Sequence, residues 1–236
     1  MIRRTLTYNN KNLKDYGVFV SGEGAWEKPS PDITRTIIPG RSGELVTFNG
    51  RYNNVDIVYR CGIISDFNGN FSALVGFLYA SPGYKKLVDN AHPGVYRMAM
   101  IETGLSPSVY ARNKDAEFEL TFNCKPQTFL NSGDEQTTFT SSGTITNPTA
   151  FDALPLIRVY GSGTITVGGK TISIANNNSY IDIDCDIQDA YRGSVNCNGN
   201  ITLQSGEFPT LPQGQSSVSK SSGISQMIIT PRWWRL

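Results

Sequence analysis

The chain has 236 residues, enough for one large hydrophobic core or two modest ones. Its apolar fraction is 39%, and no segment nears the ~18 consecutive apolar residues of a membrane span, so no membrane insertion is expected. Formal net charge is +1, with 15 basic and 14 acidic residues in 1–135 and 6 of each in 136–236. Neither part therefore draws a polyanion by counterion release, and no specific nucleic-acid binding is expected.

In chain order, the start Met1-Ile2-Arg3-Arg4-Thr5-Leu6-Thr7-Tyr8 has basic residues without a following apolar block. It does not read as a secretory signal, and the product is expected to be made and kept in a cytosol. Val55-Asp56-Ile57-Val58-Tyr59-Arg60-Cys61 reads as a strand, and Tyr96-Arg97-Met98-Ala99-Met100-Ile101 as another. Between them Asn70 reads as an N-cap, with Phe71, Leu74, Val75 and Leu78 at helical spacing. Ser81-Pro82-Gly83 would end that helix. Residues 84–88 can continue as a strand or as further helix. Residues 117–124 alternate, with Phe118, Leu120, Phe122 and Cys124 on one face.

Composition shifts near residue 130. Asn131-Ser132-Gly133-Asp134 is a turn cluster, after which charge thins and Ser, Thr, Asn and Gly accumulate. Short strands are expected at 156–160, 164–167, 171–174, 180–187 and 201–203. Gly168-Gly169 between two of them signals a type I′ hairpin, since both turn positions need positive φ. These features predict a small β-sandwich, with a boundary between Gln127 and Pro148. The polar stretch 216–225 reads as a loop.

Chemistry is sparse. Cys61, Cys124, Cys185 and Cys197 form no Cys-x-x-Cys pair and read as free buried thiols. The only histidine, His92, lacks a ligand partner for zinc and sits beside Pro93-Gly94, as in a turn. A general base is the alternative, but no nucleophile elbow accompanies it. Gly22-Glu23-Gly24 and Gly161-Ser162-Gly163 lack the rest of a phosphate-binding pattern. A glycosidase needs only two carboxylates, yet nothing selects a pair. Asp182, Asp184 and Asp186 loosely match a calcium loop, but Ile187 and Gly193 stand where that loop needs Gly and Glu. A strand with three carboxylates on its wet face fits better, leaving the isoleucines on the dry face. The expectation is no catalytic, cofactor-binding or metal residue, no cofactor, and no enzyme.

Several short motifs remain: Leu13-Lys14-Asp15-Tyr16-Gly17-Val18, Ile38-Pro39-Gly40-Arg41-Ser42-Gly43-Glu44-Leu45, Phe122-Asn123-Cys124-Lys125-Pro126-Gln127, Asn147-Pro148-Thr149 with Leu154-Pro155-Leu156-Ile157, and Pro231-Arg232-Trp233-Trp234-Arg235-Leu236. In this order and at these intervals the chain resembles the distal tail protein (Dit) family of long, non-contractile-tailed phages, from about Leu13 to Leu236. The resemblance implies a mainly β fold. An N-terminal ring-forming domain, residues 1–135, would hold one helix near 71–80 and an extended hairpin near 35–55. A galectin-like or carbohydrate-binding-module-like β-sandwich would follow at 136–236. It implies a homo-hexamer at the tail tip of the virion, made in the host cytoplasm. The ring would join the tail tube (major tail) protein to a tail-associated tip protein and dock receptor-binding or baseplate proteins for host attachment.

On the residues alone, Pro39 to Glu44 reads equally as a solvated turn or as a contact with a neighbouring subunit. The resemblance favours the contact, with Pro39, Gly40, Arg41, Ser42, Gly43, Glu44 and Tyr52 at the subunit interface. Ser42 departs from the Asp common in the family. Trp26, flanked by prolines and polar residues, reads as an exposed interface anchor. Trp233 and Trp234 would close a core, stack on a sugar or dock another subunit; with Phe208 and Pro209 they are the expected docking residues. The alternative function is a carbohydrate-binding adhesion module. Galectin sugar binding uses a His-x-Asn-x-Arg strand, and 136–236 contains no histidine.

Overall fold

The computed structural model describes residues 4–22, 24–80, 82–175, 177 and 179–236. The architecture is mainly β, 52% strand and 10% helical, with a single α-helix among the described residues. The chain divides into two compact units. The first runs to Thr128 and takes in Leu236; the second is Phe129–Arg235.

The first unit opens with β1 (Leu6–Tyr8) and β2 (Lys11–Asn12), a 3-10 turn at Leu13–Tyr16, and β3 (Val18–Val20). Next come β4 (Pro31–Ile37), β5 (Glu44–Tyr52), β6 (Val55–Ile63) and the helix α1 (Phe67–Tyr79). The strands β7 (Lys85–Asp89), β8 (Val95–Met100), β9 (Ser108–Ala111) and β10 (Asp115–Leu130) complete it. The main sheet runs β2-β1-β7-β8-β10-β6-β3, with β9 and the short strand at Trp234–Arg235 also on β10, while β4 and β5 form a separate two-stranded sheet. Strands β6 and β10 pair antiparallel from Ala116↔Ile63 to Cys124↔Val55. The alternation expected in 117–124 is present: Phe118, Leu120, Phe122 and Cys124 are all buried. Residues 84–88 resolve as strand, in β7.

The helix starts earlier than Asn70. Phe67 anchors its first turn, stacked on Phe71 at 5.0 Å. The open N–H groups are capped from another segment: Asn68 N–H donates to Asn113 Oδ1 at 2.7 Å and Phe67 N–H to Asn113 O at 3.3 Å. Asn70 instead sits inside the helix, where Nδ2 donates to Ser65 O at 2.9 Å. Ser81, part of the expected stop, lies outside the described residues, as does Glu23.

The second unit packs two sheets face to face over one core that holds Ile157, Val159, Ile165, Ile172, Ile183 and Val218. Its strands are β11 (Thr137–Phe139), β12 (Gly143–Asn147), β13 (Leu156–Gly161), β14 (Gly163–Val167), β15 (Lys170–Ile174) and β16 (Tyr180–Asp184). They continue with β17 (Asp189–Arg192), β18 (Val195–Asn196), β19 (Ile201–Leu203), β20 (Gly214–Lys220), β21 (Ile224–Thr230) and β22 (Trp234–Arg235). One sheet is ordered β11-β21-β13-β16-β17-β18, the other β12-β20-β14-β15-β19. Gly168 and Gly169 join β14 to β15 at φ 56° and 80°, the two positive values that a type I′ turn requires.

Two expectations are corrected here. Asp182 and Asp184 do not face water; both are buried. Arg158 grips Asp182 through Nε and Nη2 at 2.6 and 2.8 Å, and Arg232 grips Asp184 through Nη1 and Nη2 at the same distances. A charge can be buried when a bidentate partner meets it. Desolvation pushes the Asp184 carboxyl up, but the Arg232 hydrogen bonds and charge outweigh it and hold it below the usual range. The strand stops at Asp184, so Asp186 and Ile187 are exposed. Residues 216–225 are likewise no loop: most lie in β20 and β21, and the buried Ser216 and Val218 alternate with exposed neighbours.

Candidate functional site

The most unusual feature of the first unit is the β4–β5 arm. Its register runs from Ile33↔Phe48 to Ile37↔Glu44, with a bulge beside Pro31↔Tyr52. Period-two alternation sorts its side chains onto two faces. One carries Thr34, Asn49, Asp32 and Arg51, which satisfy one another. Asn49 Nδ2 donates to Asp32 Oδ1 at 3.1 Å, and Arg51 Nε donates to Asp32 Oδ2 at 2.5 Å. The hydrogen bonds from Arg51 and Asn49 hold the Asp32 carboxyl below its usual range. The other face carries Ile33, Ile37, Val46 and Phe48. Ile37 is 76% exposed, Val46 53% and Phe48 50%.

Local sequence builds the tip. Arg41 N–H donates to Ile38 O at 3.2 Å, closing a turn with Pro39 at its second position and Gly40 at its third. Gly40 has φ 77°, the positive value that a type II turn needs and that proline before glycine favours. Pro39, Gly40, Arg41, Ser42, Gly43 and Glu44 are all exposed. Glu44 Oε2 accepts from Arg35 Nη1 at 3.3 Å, so it is engaged within the arm. Arg41 has no ion pair among the described residues. Tyr52 is half-buried at the root, its ring 5.7 Å from Phe48.

The root is pinned by amide chemistry that the sequence does not advertise. Asn53 N–H donates to Ser30 O at 2.9 Å. Asn54 Nδ2 donates to Tyr84 Oη at 2.6 Å and to Asn123 Oδ1 at 2.7 Å, while Asn123 Nδ2 donates to Asp56 Oδ1 at 2.8 Å. Asn123 belongs to the Phe122-Asn123-Cys124 motif, so that motif serves the arm's base.

A second feature is an open cleft of about 760 Å³ over the outward face of β6 and β10. Arg60, Glu117, Glu119 and Thr121 line it, with Tyr110 and Phe19 among its walls. Tyr110 is 68% exposed on β9. Asn113, at φ 54° in the β9–β10 turn, also caps α1, so the Tyr110 wall is tied to the helix start.

Elsewhere the expected residues fall as follows. Trp26 is 71% exposed and meets His92 edge-on at 4.7 Å. Among the described residues His92 Nε2 is buried without a hydrogen-bond partner. The four cysteines are free and buried, and burial pushes the Cys61, Cys124 and Cys185 thiols up to about 12. Among the described residues no group of three His, Cys, Asp or Glu side chains is placed to hold a metal ion. No described helix is long and apolar enough to cross a membrane.

The expected docking residues differ in exposure. Trp233 is 5% exposed inside the second unit's core, and Pro209 is buried, so neither presents a surface. Phe208 and Trp234 are half-buried against that core. Trp234 stacks on Phe151 at 4.5 Å and its Nε1 donates to Asp152 O at 2.9 Å.

No protein-family model matches the chain, and no curated protein matches it. Solved structures do. The Dit protein of phage SPP1, described as a paradigm of hub adsorption apparatus in phages infecting Gram-positive bacteria, superposes with a TM-score of 0.71 at 14% identity, covering 96% of this chain and 97% of that one. A chain of the phage P2 baseplate in its calcium-activated conformation gives 0.56 at 10% identity, covering 97% of each. The strontium form gives 0.54 at 12% identity, covering 96% of this chain and 97% of that one. At such identities the likeness is one of fold: this chain is built like the SPP1 Dit protein from one end of the described structure to the other.

Proposed function

We propose that this chain is a structural distal tail, or baseplate hub, protein of a long, non-contractile-tailed phage. In this reading its first domain, about 1–135, forms a hexameric ring. The ring joins the tail tube protein to a tail-associated tip protein, and the galectin-like domain, about 136–236, docks receptor-binding or baseplate proteins. The protein belongs to the virion and catalyses no reaction.

The observation that carries the reading is the arm. A lone two-stranded hairpin is marginal in water, and an exposed apolar face of this kind marks an interaction surface. Here Ile37, Val46 and Phe48 stand exposed on a hairpin separate from the main sheet. A neighbouring copy would cover them, with Pro39, Gly40, Arg41, Ser42, Gly43, Glu44 and Tyr52 at or near the contact. Head-to-tail contacts of this kind close into rings when the rotation allows. The fold shared with the SPP1 hub protein supports the same role.

For the second unit the reading is a docking platform. Phe208, in the loop before β20, and Trp234 are its proposed contact aromatics. The adhesion alternative needs an exposed aromatic platform for a sugar, whereas Trp233 is buried and Trp234 is already stacked on Phe151.

Light scattering of the full chain across a wide concentration range, with electron microscopy of the assembled fraction, tests the ring. Closed hexameric rings are expected. Persistent monomers in solution, with no ring of this protein at the tail tip, defeat the proposal. Saturable binding to a host cell-wall glycan, about 4 kcal/mol or more, would move the second unit to the adhesion reading.

A further inference from the structure

This inference rests on the ring reading and concerns what receives the arm. The geometry points to a specific socket: the arm tip of one copy seats in the Tyr110-walled cleft of a second copy, where Arg41 pairs with Glu117.

The argument begins from unspent charge. Within the arm, Arg51 is paired with Asp32 and Arg35 with Glu44. The remaining charge is Arg41, exposed at the tip. In the cleft, Arg60 stands 3.9 Å from Glu119. Glu117 lines the same cleft and has no ion pair among the described residues. One surface thus ends with a free cation and the other with a free anion.

Shape and chemistry agree. The cleft's volume of about 760 Å³ lies within the about 300–1,000 Å³ of sites that hold a sizeable ligand, so it has room for a turn tip. Tyr110 and Phe19 offer aromatic surface, against which a guanidinium is favourable. A head-to-tail contact requires two different patches on one chain, so that each filled socket leaves another arm free to continue the ring. Arm and cleft both belong to the first unit and meet that requirement. A second copy is therefore the occupant.

A charge-swap cycle in the full chain tests it. Wild type, Arg41→Glu, Glu117→Arg and the double variant are compared by analytical ultracentrifugation, with thermal melts as the control for folding. Each single reversal is expected to weaken assembly about tenfold or more, and the double variant to regain most of it. Glu117→Gln, the milder change, is expected to fall between wild type and Glu117→Arg. If the wild type assembles and Glu117→Arg assembles equally well, or the double variant gives no rescue, the socket is overturned and the ring reading stands. If the wild type stays monomeric at every concentration, the ring reading falls and the socket with it.

Discussion

Two hairpins in this molecule share a plan and differ in fate. Strands β4–β5 and β14–β15 are both antiparallel ladders with alternating apolar side chains and a glycine-bearing turn. In the second unit, Ile165, Val167, Ile172 and Ile174 are all buried, because β14 and β15 lie between β20 and β19 beneath the opposing sheet. In the first, Ile37, Val46 and Phe48 stand in solvent and, among the described residues, no third strand joins. Alternation establishes only that a strand has an apolar face. Whether its own chain covers that face depends on the topology around it. The uncovered hairpin is the one whose apolar side chains its own chain leaves in solvent.

The sharpest way to break this comparison is to remove the arm. Replacing residues 32–51 by a short Gly/Ser turn is expected to abolish assembly while leaving the melting behaviour of the monomer in place. Loss of the folded monomer would show instead that the arm stabilises its own chain.

Next in size is the buried ion pair under the second unit's sheet. Asp184→Ala leaves Arg232 half-buried without its partner and is expected to destabilise that unit by about 3–5 kcal/mol, read by denaturant unfolding. Asp184 also fixes an acid dependence. Its folded pKa is depressed, so its contribution is full above the ordinary carboxyl value of about 3.9 and drains away as pH falls through the lower folded value. Stability curves against pH should show an acid limb that Asp184→Asn flattens.

Matched substitutions in the two hairpins then sharpen the contrast. Ile172→Ala is expected to cost about 2–5 kcal/mol of stability. Phe48→Ser in the arm is expected to change monomer stability by less than about 0.5 kcal/mol yet weaken assembly. Equal losses in the two variants would erase the distinction. The smallest effect on assembly is expected from Gly40→Val. It forces a β-branched residue to φ 77°, a strain of about 1–2 kcal/mol confined to the arm tip, visible as weaker assembly with an unaltered melt.

Much of this was legible from short-range pattern. The 117–124 alternation, the Gly168-Gly169 turn and the Pro39-Gly40 turn each rest on local rules, and each has its expected local form. What escaped the sequence depended on distant partners. Asp182 and Asp184 read as wet because polarity alone suggests solvent; Arg158 and Arg232, 24 and 48 residues away, are what permit their burial. The start of α1 lies earlier than local sequence suggests because its cap comes from Asn113, 45 residues beyond Asn68. Residues 216–225 read as loop because Ser216, a small polar residue, occupies an inward position that pattern recognition reserves for apolar ones. Of the two tryptophans read as closing a core, stacking on a sugar or docking a subunit, Trp233 takes the core position, a choice between neighbours that local pattern does not make. The cleft beside Tyr110 had no sequence signature, since its lining comes from separate strands and a turn.

The tail of the second unit sets the timetable of its folding. Arg232, at φ 60°, passes its N–H to Gly133 O at 2.8 Å, and Leu130 N–H bonds to Trp233 O at 2.9 Å. Strand β11 pairs with β21, joining residues about ninety positions apart in the chain, such as Thr137 and Ile229. On the ribosome, β11 must therefore wait for β21, and Trp233 seals the core only when nearly all of the unit has been synthesised. In the first unit the path β2-β1-β7-β8-β10-β6-β3, with β9, is complete once β10 has been made, so most of the main sheet is free to form much earlier. Contacts of such long sequence separation fold slowly, so a chain interrupted during synthesis would carry a largely formed first unit and an unclosed second one, open at its apolar interior and prone to aggregate.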